Sequence, residues 1–583
     1  MKGAREVKKF ILLILCMWSG LAVMAEPFYV RINGTRDVQA VNTGMQDYQQ
    51  RTQYAALNVN LSAGDKLTCY DAGSNAAWNI AVIDPYGAYA NFSTGSAALT
   101  CNVAGTYNVY IKMKMNDDMW YIESSNGDTP APYTPQDYDT AVPSESEDIM
   151  LQGFYWDSNY DKGFGDTRWT TLSSQASEIG QYFSLIWLPP SSEGNGGLGY
   201  IAKCYSNQNS ALGNQQELQS LISAMHTNGV RVIADIVINH CGNRSSWCDF
   251  NTVNFGSYGS FSPQSSWVTS DDEGGCNPNG NADDGQHEAN YGAARDWDHK
   301  NTNVQNMCKA YTQWMKNVML YDGFRYDYCG GFHTSHINTY NTAAKPYFSV
   351  MEYWYGDAAT LKTRIDQAGK NTLTFDFAEK YNVFRDGIYK KNYNKCKKGG
   401  LRGQGYSKYA VTFIDNHDTY NRQNGNEPNE KGDGSSINDK SLMMRCNTYL
   451  LSMPGVPCVF WPHWVKYKSE IKKMIDARRA AGVHSESTVE ETAGSGWYRA
   501  TVQGKHGKIK LMLGTAAADE LPEGYILVLK GDDYAMYYTE SMEEGMEAVS
   551  NQPSANSQKF LQDGHLYIRV GERVYDVQGR AIK

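Results

Sequence analysis

Four short segments of this chain end in side chains capable of acid, base or nucleophilic chemistry. They read Asp-Ile-Val-Ile-Asn-His at 235–240, Gly-Phe-Arg-Tyr-Asp at 323–327, Met-Glu-Tyr at 351–353 and Phe-Ile-Asp-Asn-His-Asp at 413–418. Each begins with apolar or aromatic residues, and three of them supply the acids Asp327, Glu352 and Asp418. Carboxylates collected at one place suit cleavage of a glycosidic bond, where a nucleophile and a proton donor flank the bond.

The elements that must position these residues are the strands of a parallel barrel. Apolar strands whose last residues carry chemistry are typical of such a barrel, because all its strands end at one rim. We predict eight strands at 149–156, 183–189, 230–239, 323–328, 347–353, 371–377, 409–416 and 455–461. Helical patterns lie between them, most clearly at 217–225, 304–320 and 468–481. The sequence therefore predicts an α/β fold, a (β/α)8 TIM barrel over 148–482.

The rhythm of the barrel is broken after the third strand and at both ends. The Gly-, Asn- and Ser-rich stretch 240–303 is predicted to be a small inserted subdomain, since a loop of that length is normally functional. Residues 26–124 carry β-rich runs between turn residues, which predicts a β-sandwich, and 483–545 predict an antiparallel β domain. The polar stretch 125–147 is predicted to be a linker, and 546–583 a second linker with a short tail.

The N-terminal residues 1–25 have the pattern of a secretory signal. A basic start is followed by a short apolar run and by a small-residue cleavage site at Ala25. A membrane anchor is the alternative, but the run is short and Glu26 follows it directly. No later run is long and apolar enough to span a bilayer. We therefore expect a secreted protein, extracellular, at the cell surface or periplasmic, without a transmembrane segment.

Composition restricts the partners. A net charge of −10 argues against nucleic acid and fits a neutral polymer. Nothing indicates the oligomeric state, and a monomer is assumed. Of the 12 cysteines, one pair is expected among Cys241, Cys248 and Cys276, and Cys69 and Cys101 are a second candidate pair. The remaining cysteines in apolar stretches are expected to be buried thiols, namely Cys329, Cys446 and Cys458.

In order and separation, the four segments resemble those of the α-amylase family of glycoside hydrolases, in particular its plant-like and bacterial members. The stretches 149–156 and 187–190 resemble the first two barrel strands of that family, and 482–487 and 531–537 resemble its plant members. The resemblance covers about 148–540. It implies endo-hydrolysis of α-1,4-glucosidic bonds in starch or glycogen, with retention of configuration through a covalent glycosyl-enzyme.

By this resemblance Asp327 is the nucleophile, Glu352 the general acid and then base, and Asp418 the acid that holds sugar hydroxyls. Arg325 lies two residues before Asp327, so it is on the same side of the strand and is expected to keep Asp327 ionised. Apolar neighbours are expected to raise the pKa of Glu352. The predicted substrate-binding residues are Tyr200 as a stacking platform, His240, Arg325 and His417; Trp156 is a weaker stacking candidate, expected to pack in the barrel.

The resemblance also implies bound Ca²⁺, because the candidate ligands are hard oxygen donors. Asn239 and Asp296 correspond to ligands of the family, and Asp283 or Asp284 supplies another. The alternative is that these residues form turns. One departure follows the nucleophile, where Tyr-Cys-Gly-Gly at 328–331 lacks the lysine that contacts the leaving-group sugar in many members. That absence affects the affinity on the leaving-group side and the product pattern.

The N-terminal region has its own resemblance. Residues 105–112 and 120–122 resemble starch-binding modules of bacterial amylases, which implies sugar stacking by the aromatic residues Trp78, Tyr86, Tyr89 and Trp120. The alternative is that half of these rings fill the core of the sandwich.

Other functions fit these residues less well. A single acid at a strand end is often a helix cap or a surface group, but four ordered segments favour catalysis. The pair His417–Asp418 would suit a hydrolytic triad, yet no Gly-x-Ser-x-Gly accompanies it. A transglycosylase or an oligosaccharide α-glucosidase of the same family would use the same three acids. A non-catalytic starch-binding protein is the last alternative, and the intact acids argue against it.

Overall fold

The computed structural model describes residues 28–46, 51–124, 133–420, 438–540, 557–562, 565–570 and 573–576, with short gaps at 73, 81, 88–90, 95–97, 115–117, 161–162, 272–273, 288–290 and 522. The predicted signal at 1–25 and Tyr89 lie outside these residues. The chain divides into two compact units, Met1–Pro132 and Tyr133–Lys583. The boundaries of the smaller domains stay predictions.

In the described residues of the first unit, the regular elements are strands. They are Phe28–Ile32, Arg36–Gln46, Thr52–Leu61, Lys66–Asp71, Ala76–Trp78, Ile83–Gly87, Phe92–Thr94, Leu99–Cys101, Gly105–Met113 and Met119–Ser124. The long strand Arg36–Gln46 pairs with Phe28–Ile32 through its first half and with Thr52–Leu61 through its second half. Buried residues from both halves of this sheet form one core. This agrees with the predicted sandwich.

Two predictions for this unit are wrong. Trp120 is fully buried, and its indole N–H donates to the carbonyl of Ile80 at 3.0 Å, so it fills the core and cannot stack on sugar. Cys69 and Cys101 are both buried free thiols. The register explains this, because Leu67 lies opposite Leu99 and the two cysteines are therefore offset along the ladder. The side chains of Trp78 and Tyr86 are not described.

The second unit contains the predicted barrel. Its closed parallel sheet has eight strands in sequence order: Met150–Gln152, Leu185–Trp187, Arg231–Ile236, Gly323–Tyr326, Phe348–Met351, Leu373–Phe375, Ala410–Phe413 and Val456–Phe460. All eight lie within the predicted ranges. The strands are buried almost throughout, as expected when a sheet is covered by helices outside and side chains inside. The predicted (β/α)8 fold is confirmed.

Helices connect the strands. They are Trp169–Ser174, Ala176–Tyr182, Gln215–Thr227, Thr302–Asn317, Ser335–Ala344, Ala358–Gln367, Phe377–Glu379, the π-helix Lys380–Tyr389, Lys440–Ser452, Trp461–Lys466 and Lys468–Ala481. The predicted apolar stripe of Gln215–Thr227 is buried, and a capping box of Asn214 and Glu217 begins this helix. No helix in the described part of the chain has the length and apolarity needed to cross a bilayer.

The described residues of the insertion after the third strand form short antiparallel pairs and the 3-10 helices Gly256–Tyr258 and Ser265–Trp267. His240–Cys241 pairs with Arg295–Asp296, and Val253–Asn254 pairs with Ser260–Phe261. A disulfide joins Cys248 to Cys276. This selects one pairing from the three cysteines in this region, and Cys241 is a buried thiol, as are the predicted Cys329, Cys446 and Cys458.

The second half of the predicted linker 125–147 is packed on the barrel. Tyr133 stacks on His226 and donates its hydroxyl to Asp322. The N–H of Ala141 donates to Asn371 Oδ1 at 2.8 Å, and Val142 is buried. The polar composition predicted a linker without packing contacts. For residues 133–147 this prediction is wrong, because contacts near the starts of barrel strands hold this segment on the barrel.

The barrel is followed by a five-stranded antiparallel sheet. Its order is Thr488–Gly494, Trp497–Gln503, Gly507–Gly514, Tyr534–Glu540 and Ile526–Lys530. Some of its buried side chains, such as Leu511 and Met536, join the barrel core, whereas Met512, Ala535 and Tyr537 belong to a separate small cluster. Three further strands, Ser557–Gln562, His565–Val570 and Arg573–Asp576, form a separate sheet in the tail.

Candidate active site

One buried guanidinium lies at the centre of the barrel mouth. Arg325 Nη1 is 2.7 Å from Asp235 Oδ1 and 2.5 Å from Asp327 Oδ1, and its Nη2 is 2.7 Å from Glu352 Oε1. The Arg325 side chain is completely buried, whereas those of Asp327 and Glu352 keep 10% and 7% of their surface exposed. Two carboxylates on different strands are thus held side by side by one planar cation and both reach the mouth.

The strands explain this convergence. Asp327 directly follows the fourth strand and Glu352 directly follows the fifth, and the last residues of these strands, Tyr326 and Met351, are paired in register. Parallel neighbours that end together place their next side chains at the same rim. The backbone fixes Glu352 further, because the N–H of Tyr328 donates to its Oε2 at 3.1 Å.

Asp418 lies in the turn after the seventh strand. Its carboxylate accepts a hydrogen bond from Trp156 Nε1 at 3.1 Å, and its Oδ2 lies 3.3 Å from His417 Nε2. Its own N–H donates to Asn416 Oδ1 at 2.9 Å. The side chain is 25% exposed, so this third acid also borders the open mouth. Trp156, expected mainly to pack in the barrel, is therefore a direct contact of the third acid.

Tyr200 contacts both Asp235, which is bound to Arg325, and His417, which lies next to Asp418. Its hydroxyl donates to Asp235 Oδ2 at 2.9 Å, and its ring stacks on His417 with centroids 5.1 Å apart. The Nε2 of His240 lies 2.8 Å from the carbonyl oxygen of Tyr200. The imidazole ring of His240 stacks on the ring of Tyr291, with centroids 3.9 Å apart. The predicted substrate-binding residues thus gather around the predicted acids, although their roles stay predictions.

Burial controls the protonation of these groups. It raises the pKa of Asp327 well above its ordinary value, against the opposing charge of Arg325, and raises the pKa of Asp235 to about 6. We expected Arg325 to keep Asp327 ionised, and the guanidinium does lower this pKa, but the charge is shared among three carboxylates. A buried cluster of this kind retains a proton to higher pH than a free carboxyl group does.

The histidines of the site are shifted in the other direction. Burial, and then the charge of Arg325, lower the pKa of His417 well below its ordinary value, and burial lowers the pKa of His240 to about 4. Both imidazoles are therefore neutral near pH 7 and act as hydrogen-bonding groups. Gln152 Nε2 lies 3.1 Å from His417 Nδ1 and fixes the orientation of this ring.

Of the three predicted metal ligands, Asn239 and Asp296 contact each other, and Asp283 contacts Gly285. Asn239 and Asp296 are buried together, with Asn239 Nδ2 donating to Asp296 Oδ1 at 2.9 Å. The amide oxygen of Asn239 faces Gly331 so closely that a Cβ there would lie 2.2 Å from it. Asp283 accepts the N–H of Gly285, which packs on the carbonyl of Gly331. In the described residues no cluster of three or more His, Cys, Asp or Glu is suited to a metal, but amide and carbonyl oxygens can join these carboxylates.

Two residues at the centre of the site were given no role from the sequence. Asp235 is buried and accepts hydrogen bonds from Trp187 Nε1 at 3.1 Å, from Tyr200 and from Arg325. The signal was present, because a carboxylate inside an apolar strand requires partners to offset its desolvation. Trp187 gave no such signal, since an indole in an apolar run is ordinarily a core residue.

The chain is similar to known proteins over this region. The family model of the α-amylase catalytic domain matches residues 177–368. Probable α-amylase 2 of Arabidopsis thaliana is 28% identical over 419 residues, 68% of this chain and 94% of that protein. The α-amylase type B isozyme of Hordeum vulgare is 30% identical over 134 residues, 22% of this chain and 78% of that sequence. Among solved structures, a γ-CGTase from Alkalophilic bacillus clarkii has a TM-score of 0.51 at 13% identity, covers 69% of this chain and 71% of its own, and supports the fold alone.

Proposed function

The chain belongs to the α-amylase family of glycoside hydrolases, and from this premise we propose that it cleaves internal α-1,4-glucosidic bonds of starch or glycogen with retention. The observation that carries the proposal is the contact of Asp327 and Glu352 with one guanidinium. Retention requires the two carboxyl groups to be about 5.5 Å apart, whereas inversion requires room for a water between them. Carboxylates bound to the two nitrogens of one Arg325 suit the short separation.

The residues divide the work as follows. Asp327 attacks the anomeric carbon while Glu352 protonates the departing glycosidic oxygen, and Glu352 then takes a proton from the water that releases the sugar. The attack requires ionised Asp327, and the charge of Arg325 favours that form against the burial that raises the pKa of Asp327. Asp418, His417 and His240 bind hydroxyls of the sugar at the cleavage point.

Tyr200 completes the site as the ring against which that sugar packs. Its partial burial and its hydrogen bond to Asp235 fix the ring in place before substrate arrives. A platform held in this way loses little side-chain entropy when it binds.

We also propose a bound Ca²⁺ held by Asn239, Asp283 and Asp296, with the carbonyl of Gly331 as a further donor. The set consists of oxygen donors, which calcium prefers. When bound, the ion would supply a structural link between the inserted segment and the end of the third strand, next to His240. Secretion after removal of 1–25, and glucan binding by the N-terminal unit, are proposed on the sequence patterns alone.

The test is a nucleophile variant with a surface control. Asp327→Asn should abolish release of reducing sugar from soluble starch, while Asp366→Asn, on the outer helix Ala358–Gln367, should retain it. Proton NMR of the first product should show the α-anomer; a β-anomer would exclude retention. Mixed maltooligosaccharides from amylose support endo-hydrolysis, whereas glucose alone would favour an exo-acting glucosidase. Near-full turnover by Asp327→Asn would refute the assignment of the nucleophile.

A further inference from the structure

The turn that carries the third acid rests on a buried ion pair that the proposed mechanism does not use. Lys380 Nζ lies 3.0 Å from Asp415 Oδ1 and donates to the carbonyl oxygen of Ile414 at 2.6 Å. The side chains of Lys380 and Asp415 keep only 2% and 0% of their surface exposed. Taking two charges out of water costs free energy that an apolar pair of similar size does not cost. Stability alone therefore gives little reason for this pair.

The Asp415 carboxylate closes the turn from its first residue to its last. Its Oδ1 accepts a hydrogen bond from Thr419 Oγ1 at 3.2 Å, and the same hydroxyl oxygen accepts the N–H of Asn416 at 3.0 Å. Within the turn, Asn416 Oδ1 accepts the N–H groups of Asp418 and Thr419, each at 2.9 Å. His417 and Asp418 therefore lie on a short segment whose two ends are joined through one carboxylate.

The same carboxylate contacts the helices that follow the two neighbouring barrel strands. Lys380 begins the π-helix Lys380–Tyr389 after the sixth strand, and His463 lies in the helix Trp461–Lys466 after the eighth strand. His463 is buried, and its Nε2 is 3.5 Å from Asp415 Oδ2. Asp415 is thus held from both sides by elements that are themselves packed on the barrel. Support of this kind fixes the geometry of a site before a ligand arrives.

Of the two functional side chains on the turn, Asp418 depends more on this support. The ring of His417 has independent contacts, because Gln152 Nε2 lies 3.1 Å from its Nδ1 and the ring of Tyr200 stacks on it. The Asp418 side chain is 25% exposed, and its backbone N–H is fixed by Asn416 inside the turn. A shift of the turn should therefore displace mainly the carboxylate of Asp418.

We propose that Lys380 and Asp415 are positioning residues, which hold the turn so that Asp418 meets the sugar hydroxyls in the geometry that cleavage requires. This inference rests on the proposed function, in which Asp418 binds hydroxyls at the cleavage point. Lys380 and Asp415 are buried and act on the substrate only through the turn. A displacement of about 1 Å at a catalytic site costs on the order of a hundredfold in rate. Loss of the pair should therefore lower catalysis through Asp418.

The test is a double-mutant cycle that removes the ion pair in the presence and in the absence of the Asp418 carboxylate. The variant Lys380→Met/Asp415→Asn keeps the shapes and the net charge and leaves no buried charge unpaired. The substrate is α-maltotriosyl fluoride, whose reactive leaving group keeps slow variants measurable. The pair variant should lower kcat/KM about ten- to a hundredfold in the wild-type background. In an Asp418→Asn background it should cost less than about threefold more, because the carboxylate that it misplaces is already absent.

A second ion pair, Arg402 with Glu491, supplies the matched control. Arg402 Nη1 and Nη2 donate to the two Glu491 oxygens at 2.8 and 3.0 Å, and these side chains are 12% and 7% exposed. Glu491 lies in the antiparallel sheet that follows the barrel, in the strand Thr488–Gly494. The variant Arg402→Met/Glu491→Gln should retain kcat/KM within about twofold. Circular dichroism shows whether each variant is folded at the assay temperature. If Lys380→Met/Asp415→Asn does not fold, Asp415→Asn alone replaces it, because a buried lysine can lose its proton.

A loss confined to the background that contains Asp418 supports the inference. Three results overturn it: wild-type activity in the pair variant, an equal loss in both backgrounds, and an equal loss in the Arg402→Met/Glu491→Gln control. These results leave the proposed function intact, because the wild type still cleaves the fluoride and Asp327→Asn does not. If the wild type does not cleave the fluoride, or if Asp418→Asn keeps full activity, the proposed function fails at that point and the inference fails with it.

Discussion

Replacing Asp235 by Asn tests whether the buried charge behind the nucleophile tunes the active site. Asp235 faces Arg325 at 2.7 Å and accepts hydrogen bonds from Tyr200 and Trp187. The substitution keeps the shape and removes one negative charge. Because the charge of Asp235 contributes to the raised pKa of Asp327, its removal should lower that pKa. The acid limb of the kcat/KM profile should therefore move to lower pH.

The effect on stability follows from two opposing free energies. Burial raises the pKa of Asp235 from 3.8 to about 6, so ionised Asp235 costs the folded state roughly 3 kcal/mol at neutral pH. The stability that protonated Asp235 contributes at low pH is lost as the pH rises through about 6, and Asn removes this dependence. Against this gain, the amide turns an N–H toward the indole N–H of Trp187, which costs about 1–3 kcal/mol. The net change in the free energy of unfolding at pH 7 should therefore be small, within about 2 kcal/mol.

The assay is the pH dependence of kcat/KM on α-maltotriosyl fluoride from pH 4 to 8, together with urea unfolding at pH 7. Asp376→Asn is the matched control, because Asp376 is equally buried, has a pKa raised to about 6 by burial, and accepts backbone N–H groups, among them those of Glu379 and Leu401. An acid limb that stays in place in Asp235→Asn, moves to higher pH, or moves equally in Asp376→Asn would refute the electrostatic reasoning.

Three further predictions concern stability. Burial lowers the pKa of His299 to about 3, so keeping this imidazole neutral should cost the folded state about 2 kcal/mol of stability at pH 5 relative to neutral pH. Calorimetry should therefore show a weaker pH dependence of stability for His299→Gln. A pH dependence equal to that of the wild type would contradict this prediction. The disulfide Cys248–Cys276 has a sequence separation of 28, so replacing both cysteines by serine should cost up to about 3–4 kcal/mol, and reductant should then have no further effect. Calcium at 100 times its Kd should stabilise the wild type by about 2.7 kcal/mol over a chelator, but not Asp296→Asn; equal melting of the wild type with and without calcium would exclude the site.

Local patterns were sufficient for the architecture and for the acids. Apolar strands ending in Asp327 and Glu352, with helical periods between them, already require a parallel barrel, because hydrophobic periodicity depends only on neighbouring residues. The helix Lys468–Ala481 was predicted with its observed bounds for the same reason. The convergence of acids at one rim also follows from sequence, since all strands of a parallel barrel end on the same side.

The sequence by itself thus determined the order of the elements, the fold class, and the four segments whose last residues lie at the mouth of the barrel. Only the tertiary structure decided which groups meet across that mouth: Arg325 with three carboxylates, Trp156 with Asp418, and Cys248 with Cys276 instead of Cys241. It also decided that Trp120 fills a core. Such pairings depend on side-chain directions and on distances between segments far apart in the chain, and no local period of the sequence encodes these distances.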